Sequence, residues 1–304
     1  MASRGSNTAF VSAEAVARAV EQAIPHLACE LPPDVSCALA RARDEERAPL
    51  GRFALDQLVE NDRIAREDRV PLCQDTGTVW VCLEVGADVC VRGDVFSQVD
   101  DAVARAYEAA RLRLSVVRDA LVDRTNTGTN APAFCEVRFS DDPLCARVHV
   151  MLKGGGSDNA SRVVMLVPGA GRAGIVDEVV RCVREKGPNA CPPLVVGVGV
   201  GATFDKVAGL AKRALMRPID EPAESPEAAA FESELLDAVN ATGVGAGGLG
   251  GGATALSVRV ATAPCHIAAL PVAINMGCSA LRRATIPLAG SSFPAPSDAK
   301  GGAR

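Results

Sequence analysis

Glycine breaks this chain at intervals and limits the length of any regular element. The runs KGGGSDNAS (153–161) and GVGAGGLGGG (243–252) extend neither a helix nor a strand cheaply, because ordered glycine loses the most backbone entropy. Such bare backbone also lets a ligand or another chain come close. Between the breaks, apolar spacing supplies short elements. In SAEAVARAVEQAI, Val16, Ala19, Val20, Ala23 and Ile24 share one helical face behind a Ser12 cap. Residues 35–47 and 52–66 repeat that pattern, so residues 1–70 read as a helical N-terminal region of a single domain. VWVCLEVG predicts a strand. A long helix is expected over 95–117, capped by Asp94 and carrying Arg113. AFCEVRF and ARVHVMLK read as strands around the turn SDDPL. A helix over 175–186, the strand LVVGVGV, a helix over 206–216 stopped by Pro218, a helix to Ala241, and the strands ALSVRVATA and HIAALPVAINMG follow. The class is α+β, helices first and then mixed β-sheets flanked by helices. Residues 71–288 form the working domain, and 289–304 is expected to be a disordered tail.

Composition closes several functional classes. Aromatic residues are 3% of 304, too few for the exposed rings that stack on single-stranded nucleic acid. The net charge is −5 and no Lys/Arg block is dense enough to track phosphates. No apolar run reaches the ~18–20 residues that span a bilayer. The opening residues lack an apolar signal core, and Glu14 and Glu21 argue against a transit peptide. The expectation is a cytoplasmic protein without a nucleic-acid or membrane partner.

Eleven cysteines remain to be explained. Their odd number and the lack of a leader argue against a disulfide framework, and no CxxC pair supports a zinc finger. Three stand in turn-like contexts: Cys73 before QDTG, Cys191 before Pro-Pro, and Cys278 after a strand ending in Met-Gly. The other eight fall mainly within helix or strand patterns and read as small core residues. A loop cysteine could be a nucleophile, but His26, His149 and His266 offer no evident partner in sequence. Three thiolates also suit an iron–sulfur cluster that leaves one iron without a protein ligand.

Five collinear stretches, covering most of residues 50–287, carry a resemblance. They are PLCQDTGT; LRLSVVRD with RTNTGTNAPA; KGGGSDNASRVVML with PGAG; CPPLVVGVGVGATFDKVAGLAKRALMRP; and GVGAGGLGGGATALSVRVATAPCHIAALPVAINMGCSA. The chain resembles the iron–sulfur-dependent hydro-lyases, class I fumarate hydratase and the alpha subunit of L-tartrate dehydratase. The resemblance implies that family's N-terminal catalytic fold and a [4Fe-4S] cluster held by Cys73, Cys191 and Cys278. It implies that Gln74 and Asp75 line a substrate pocket, with Asp75 and His266 catalytic. Arg113 would bind a substrate carboxylate, and the amides of Gly155 and Gly156 would approach substrate or cluster. The reaction implied is reversible hydration of a small dicarboxylate, fumarate/malate first and tartrate next. The chain ends before the second domain of single-chain members, so a separate beta subunit is expected to supply the base in a hetero-oligomer.

Taken alone, these residues have plainer readings. Arg113 suits a solvated helix charge, His266 a hydrogen-bonded core histidine, and Asp75 a turn-satisfying carboxylate. Lys153, Asp158, Asn126 and Asn130 suit loop shaping. The chain also departs from the family pattern. Gly252 and Ala253 stand for Lys and Thr, Ser279 for His, Cys265 for Thr, and Ala202 for Gly. These changes leave a non-catalytic stabilising or regulatory subunit as the alternative.

Overall fold

A computed structural model describes residues 9–288 and 291–292. The first elements are β1 (Ala9–Val11), α1 (Ala13–Cys29), α2 (Pro33–Glu45), α3 (Pro49–Asp68), β2 (Thr78–Val85), β3 (Cys90–Val91) and α4 (Val99–Ala109). Next come β4 (Phe134–Phe139), β5 (Ala146–Lys153), α5 (Gly155–Asn159), β6 (Arg162–Leu166) and α6 (Gly171–Lys186). The rest are β7 (Leu194–Ala202), α7 (Phe204–Ala214), α8 (Pro226–Asn240), β8 (Ala255–Cys265), β9 (Leu270–Gly277), β10 (Arg282–Pro287) and β11 (Ser291–Ser292). The fold is α+β, with three helices before the main sheets. Apart from β11, the expected tail lies outside the described residues. The described residues fall into two compact units, one drawn from within 1–25, 79–150 and 285–304 and the other from 26–78 and 151–284.

The first unit holds the sheet ordered β11-β1-β3 and most of the sheet ordered β10-β5-β2-β4. β2 and β4 are parallel, with Glu84 opposite Arg138. α1 buries Val16, Ala19, Val20, Ala23 and Ile24 as its spacing predicts, and Ser12 caps it through the Ala15 amide at 3.1 Å. The long helix expected over 95–117 is shorter. α4 ends at Ala109, where Arg111 turns left-handed at φ 52°. The Leu112 amide then reaches the Tyr107 carbonyl and the Arg111 amide that of Glu108. This is a Schellman ending with arginine where glycine is usual. Arg113 therefore lies beyond the helix and is exposed.

The second unit is built on the sheet ordered β6-β9-β7-β8, with β7 parallel to β8 and antiparallel to β9. β7 shows why LVVGVGV is written as it is. Leu194, Val196, Val198 and Val200 face a core completed by Val179 and Val183 of α6 and Leu235 and Val239 of α8. The alternate positions Gly197 and Gly199 face α7. A Cβ at Gly197 would lie 2.2 Å from the Ala211 carbonyl oxygen, and one at Gly199 2.5 Å from that of Val207. The glycines let helix backbone lie on strand backbone. β9 begins at Leu270, not at His266 as the apolar run suggested; residues 266–269 are a turn.

Candidate functional site

The β7–β9 pairing places Val195 opposite Gly277. Cys191, just before β7, and Cys278, just after β9, therefore come to the same end of the sheet. The Ser279 amide donates to the Cys191 carbonyl at 3.0 Å. A 3-10 turn (Gly187–Ala190) delivers Cys191 in the left-handed region, φ 54° and ψ 66°, which a side chain with a Cβ rarely adopts. The glycine loop before β8 rests on the same segment, its Gly247 amide donating to the Pro192 carbonyl at 2.8 Å.

Cys73 arrives on the turn after α3. Leu72 is fixed first, its amide on the Ala28 carbonyl at 2.8 Å and its carbonyl accepting from Asn61 Nδ2 at 2.9 Å. Both Asp75 carboxylate oxygens are then engaged. Oδ1 accepts from the Gly77 amide at 3.0 Å and closes the turn. Oδ2 accepts from the Gly155 amide at 2.8 Å and ties the turn to the KGGG loop. That loop in turn meets the Cys191 segment, since a Cβ at Gly156 would lie 3.3 Å from the Asn189 carbonyl oxygen.

The Cys191 thiol senses the other two. Desolvation first, and then the charges of Cys278, Cys73 and Asp75, push the Cys191 thiol above its ordinary value. Cys73 Sγ accepts from the Asp75 amide at 3.4 Å and donates to Gln74 Oε1 at 3.3 Å. Lys153 is buried beside them. Its Nζ donates to Ser157 Oγ at 2.8 Å and lies 3.4 Å from Asp158. Burial holds its ammonium down to about 8, against the charges of Asp158 and Cys278. Among the described residues no three His, Cys, Asp or Glu side chains stand close enough to share one metal ion. A polynuclear cluster asks for something else: thiolates on separate metal atoms, spaced by the cluster. Three cysteines on three loops, with Cys191 in reach of the charges of the other two, fit that donor set.

Other site candidates lie elsewhere. The β7–β8 register runs from Leu194 opposite Ala255 to Ala202 opposite Cys265. His266 thus follows the far end of β8, roughly 25 Å along the sheet at the usual rise per residue. It is exposed in the β8–β9 turn, its Nδ1 accepting from the Ala268 amide at 3.1 Å. It is neither a core histidine nor a neighbour of Cys191 or Cys278. Arg113 belongs to the first unit. Asn126 donates to the Leu114 carbonyl at 2.9 Å and Asn130 accepts from the Ser115 amide at 2.7 Å, so both shape the segment next to Arg113. Cys29, Cys82, Cys145 and Cys182 are buried as expected, whereas Cys37 and Cys265 are exposed.

Two residues escaped the sequence reading. Glu46 Oε2 accepts from the amides of Gly252 and Ala253 at 2.9 and 3.1 Å, pinning the loop whose Lys and Thr are replaced. Arg282, 1% exposed, donates from Nη2 to the Asp75 carbonyl at 2.8 Å. Neither position belongs to a pattern that marks it in sequence.

The model of the family described as fumarate hydratase (Fumerase) matches residues 17–287. A protein of Methanocaldococcus jannaschii named putative L(+)-tartrate dehydratase subunit alpha is 40% identical over 260 residues, 84% of this chain and 90% of that one. The L(+)-tartrate dehydratase subunit alpha of Escherichia coli strain K12 is 31% identical over 266 residues, 86% of each chain.

Proposed function

Since the chain belongs to the fumarate hydratase (Fumerase) family, we propose that it is the cluster-bearing alpha subunit of a hydro-lyase. Its substrate is a small hydroxy-dicarboxylate, and a beta subunit completes the site. The observation that carries this reading is geometric: Cys191 and Cys278 come to one end of the β7–β9 pair, joined by the Ser279 amide on the Cys191 carbonyl, and the Cys73 turn is tied through Asp75 to the KGGG loop that meets the Cys191 segment. These cysteines would hold a [4Fe-4S] cluster. When bound, such a cluster supplies a Lewis-acidic iron for a substrate hydroxyl and carboxylate.

The chain's own residues take defined parts. Asp75, with both oxygens on backbone amides, orients the two loops and keeps Cys73 and the Gly155–Gly156 amides in place. Gln74 is exposed on the same turn. Its side-chain Nε2, not engaged by the Cys73–Oε1 contact, can donate to a substrate oxygen. Arg113 supplies the planar fork that grips a carboxylate. His266, at the other end of the sheet, serves only a site assembled with another chain. The names of the two relatives favour assaying tartrate beside fumarate and malate.

The test is anaerobic reconstitution with iron and sulfide. The wild-type chain should bind about four irons. Cys73→Ser, Cys191→Ser and Cys278→Ser should each abolish the visible absorption of the cluster, and Cys37→Ser should not. A wild-type chain that takes up no iron overturns the reading.

A further inference from the structure

Arg282 has the largest of the fully buried side chains among the described residues. Burying a guanidinium is costly unless its charge is paired and its donors are used. The next residue meets that rule. Arg283 pairs with Asp34 at 2.6 Å and donates to the carbonyls of Leu215 at 2.7 Å and Arg217 at 3.3 Å. Arg282 does not. Nη2 reaches the Asp75 carbonyl, while Nε and Nη1 are buried without a hydrogen-bond partner among the described residues. No ion pair joins Arg282 to any carboxylate among the described residues. Its surroundings are those of the thiol centre. It stands four residues after Cys278 and holds the residue whose amide donates to Cys73 Sγ. Gly154 leaves room there, since a Cβ on it would lie 3.3 Å from Asp75 Oδ2 and 3.8 Å from Arg282 Nη2.

Resting on the cluster reading above, we propose that Arg282 is a positioning residue of the thiolate centre and its built-in counter-charge. It clamps the Cys73 turn through the Asp75 carbonyl. Its positive charge is balanced by metal-bound thiolates rather than by a protein carboxylate. Three thiolates on a cluster bring net negative charge to this end of the sheet. A buried cation within one hydrogen bond of the turn favours that state, because charges interact strongly where water is excluded. The fold thus carries a charge with no direct carboxylate pair among the described residues, and loading adds to its compensation. Arg282 should stabilise the loaded chain more than the metal-free one.

The experiment compares wild type, Arg282→Gln and Arg282→Lys, each reconstituted anaerobically. Iron release to a chelator is followed by absorption, and the metal-free forms are followed by thermal melting. Arg282→Gln should release iron faster by roughly tenfold, equivalent to about 1.4 kcal/mol, while its metal-free melting temperature stays near wild type. Arg282→Lys, which keeps the charge, should recover part of the retention. Wild type that loads, with Arg282→Gln retention unchanged, overturns this inference alone. Metal-free forms of both variants that fail to fold show a purely structural arginine and overturn it as well. Wild type that takes up no iron overturns the cluster reading, and this inference with it.

Discussion

Ala202 holds a left-handed backbone at φ 58°, at the irregularity that ends the β7–β8 ladder. A Cβ in that region clashes with the adjoining carbonyl, and glycine does not. Replacing alanine by glycine in a strand usually destabilises; here the sign should reverse. Ala202→Gly should stabilise the chain by about 0.5–1 kcal/mol, net of the extra freedom of unfolded glycine. Equilibrium urea unfolding measures it, and a loss of stability would contradict the account. The departure from the family's glycine thus has a backbone consequence that the residue's identity alone does not reveal. The same limit divides the site residues. Cys73, Cys191 and Cys278 could be singled out because turn chemistry is local and the residues around them announce it. That Asp75 spends both oxygens on amides could not be read, because Gly155 is 80 positions away. Arg282 was hidden for the same reason, its partner lying 207 positions off.

Elements followed their patterns where one face was apolar and failed where the backbone ended without a signal. α1, α2, α3, α6 and β7 appear as their periodicities require. α4 stops at an arginine doing the work of glycine, and Leu112 and Val116, both buried, continue a helical spacing without a helix. β10 went unread because RRATIP begins with two buried arginines. The strands of the first unit share one feature with a measurable consequence. Glu84 of β2, 2% exposed, accepts from Arg138 of β4 at 2.9 Å, Arg147 of β5 at 2.8 Å, and His149 of β5 at 2.7 Å. His149 Nδ1 lies 2.9 Å from Thr285 Oγ1 of β10. Burial opposes the Glu84 charge, but hydrogen bonds from Arg147 and His149 and the charges of Arg138 and Arg147 outweigh it and hold the carboxyl down to about 2. Burial in turn depresses His149, against its bond to Glu84. A lowered carboxyl contributes stability above its unfolded value, near 4.5, and loses it as pH falls toward 2. Discounted for the solvent reached by both arginines, that contribution is on the order of 2 kcal/mol. Glu84→Gln should be destabilised by about that much at pH 7. The gap from wild type should close between pH 4.5 and 2, as acid unfolding followed by circular dichroism would record. A gap that does not change with pH would remove Glu84 from this role.

At the scale of the whole molecule, each compact unit is assembled from separated segments, a partition that no composition shift marks in the sequence. The thiol centre belongs wholly to the second unit, and its supply of acid–base groups decides what this chain can do alone. Removing a proton next to a carboxylate needs a base that is both positioned and free. On the loops around the cysteines, Asp75 is held by two amides and Asp158 is paired with Lys153. Ser157 Oγ lies between Lys153 Nζ and the Gly154 carbonyl. His266 stands at the far end of the sheet. The groups that hold and orient are present, but no uncommitted base accompanies them among these loop residues. Relatives named as alpha subunits imply a second kind of subunit. The prediction is that cluster-loaded chain, assayed anaerobically with tartrate, malate and fumarate, turns over none of them alone. Activity should appear when a candidate beta subunit is titrated in and should level off near equimolar mixing. Arg113→Lys should then raise KM by about tenfold without changing the cluster spectrum, since the charge remains and the fork is lost. Full turnover by the isolated chain would place the base within its own 304 residues, and the assignment of separate roles would fall.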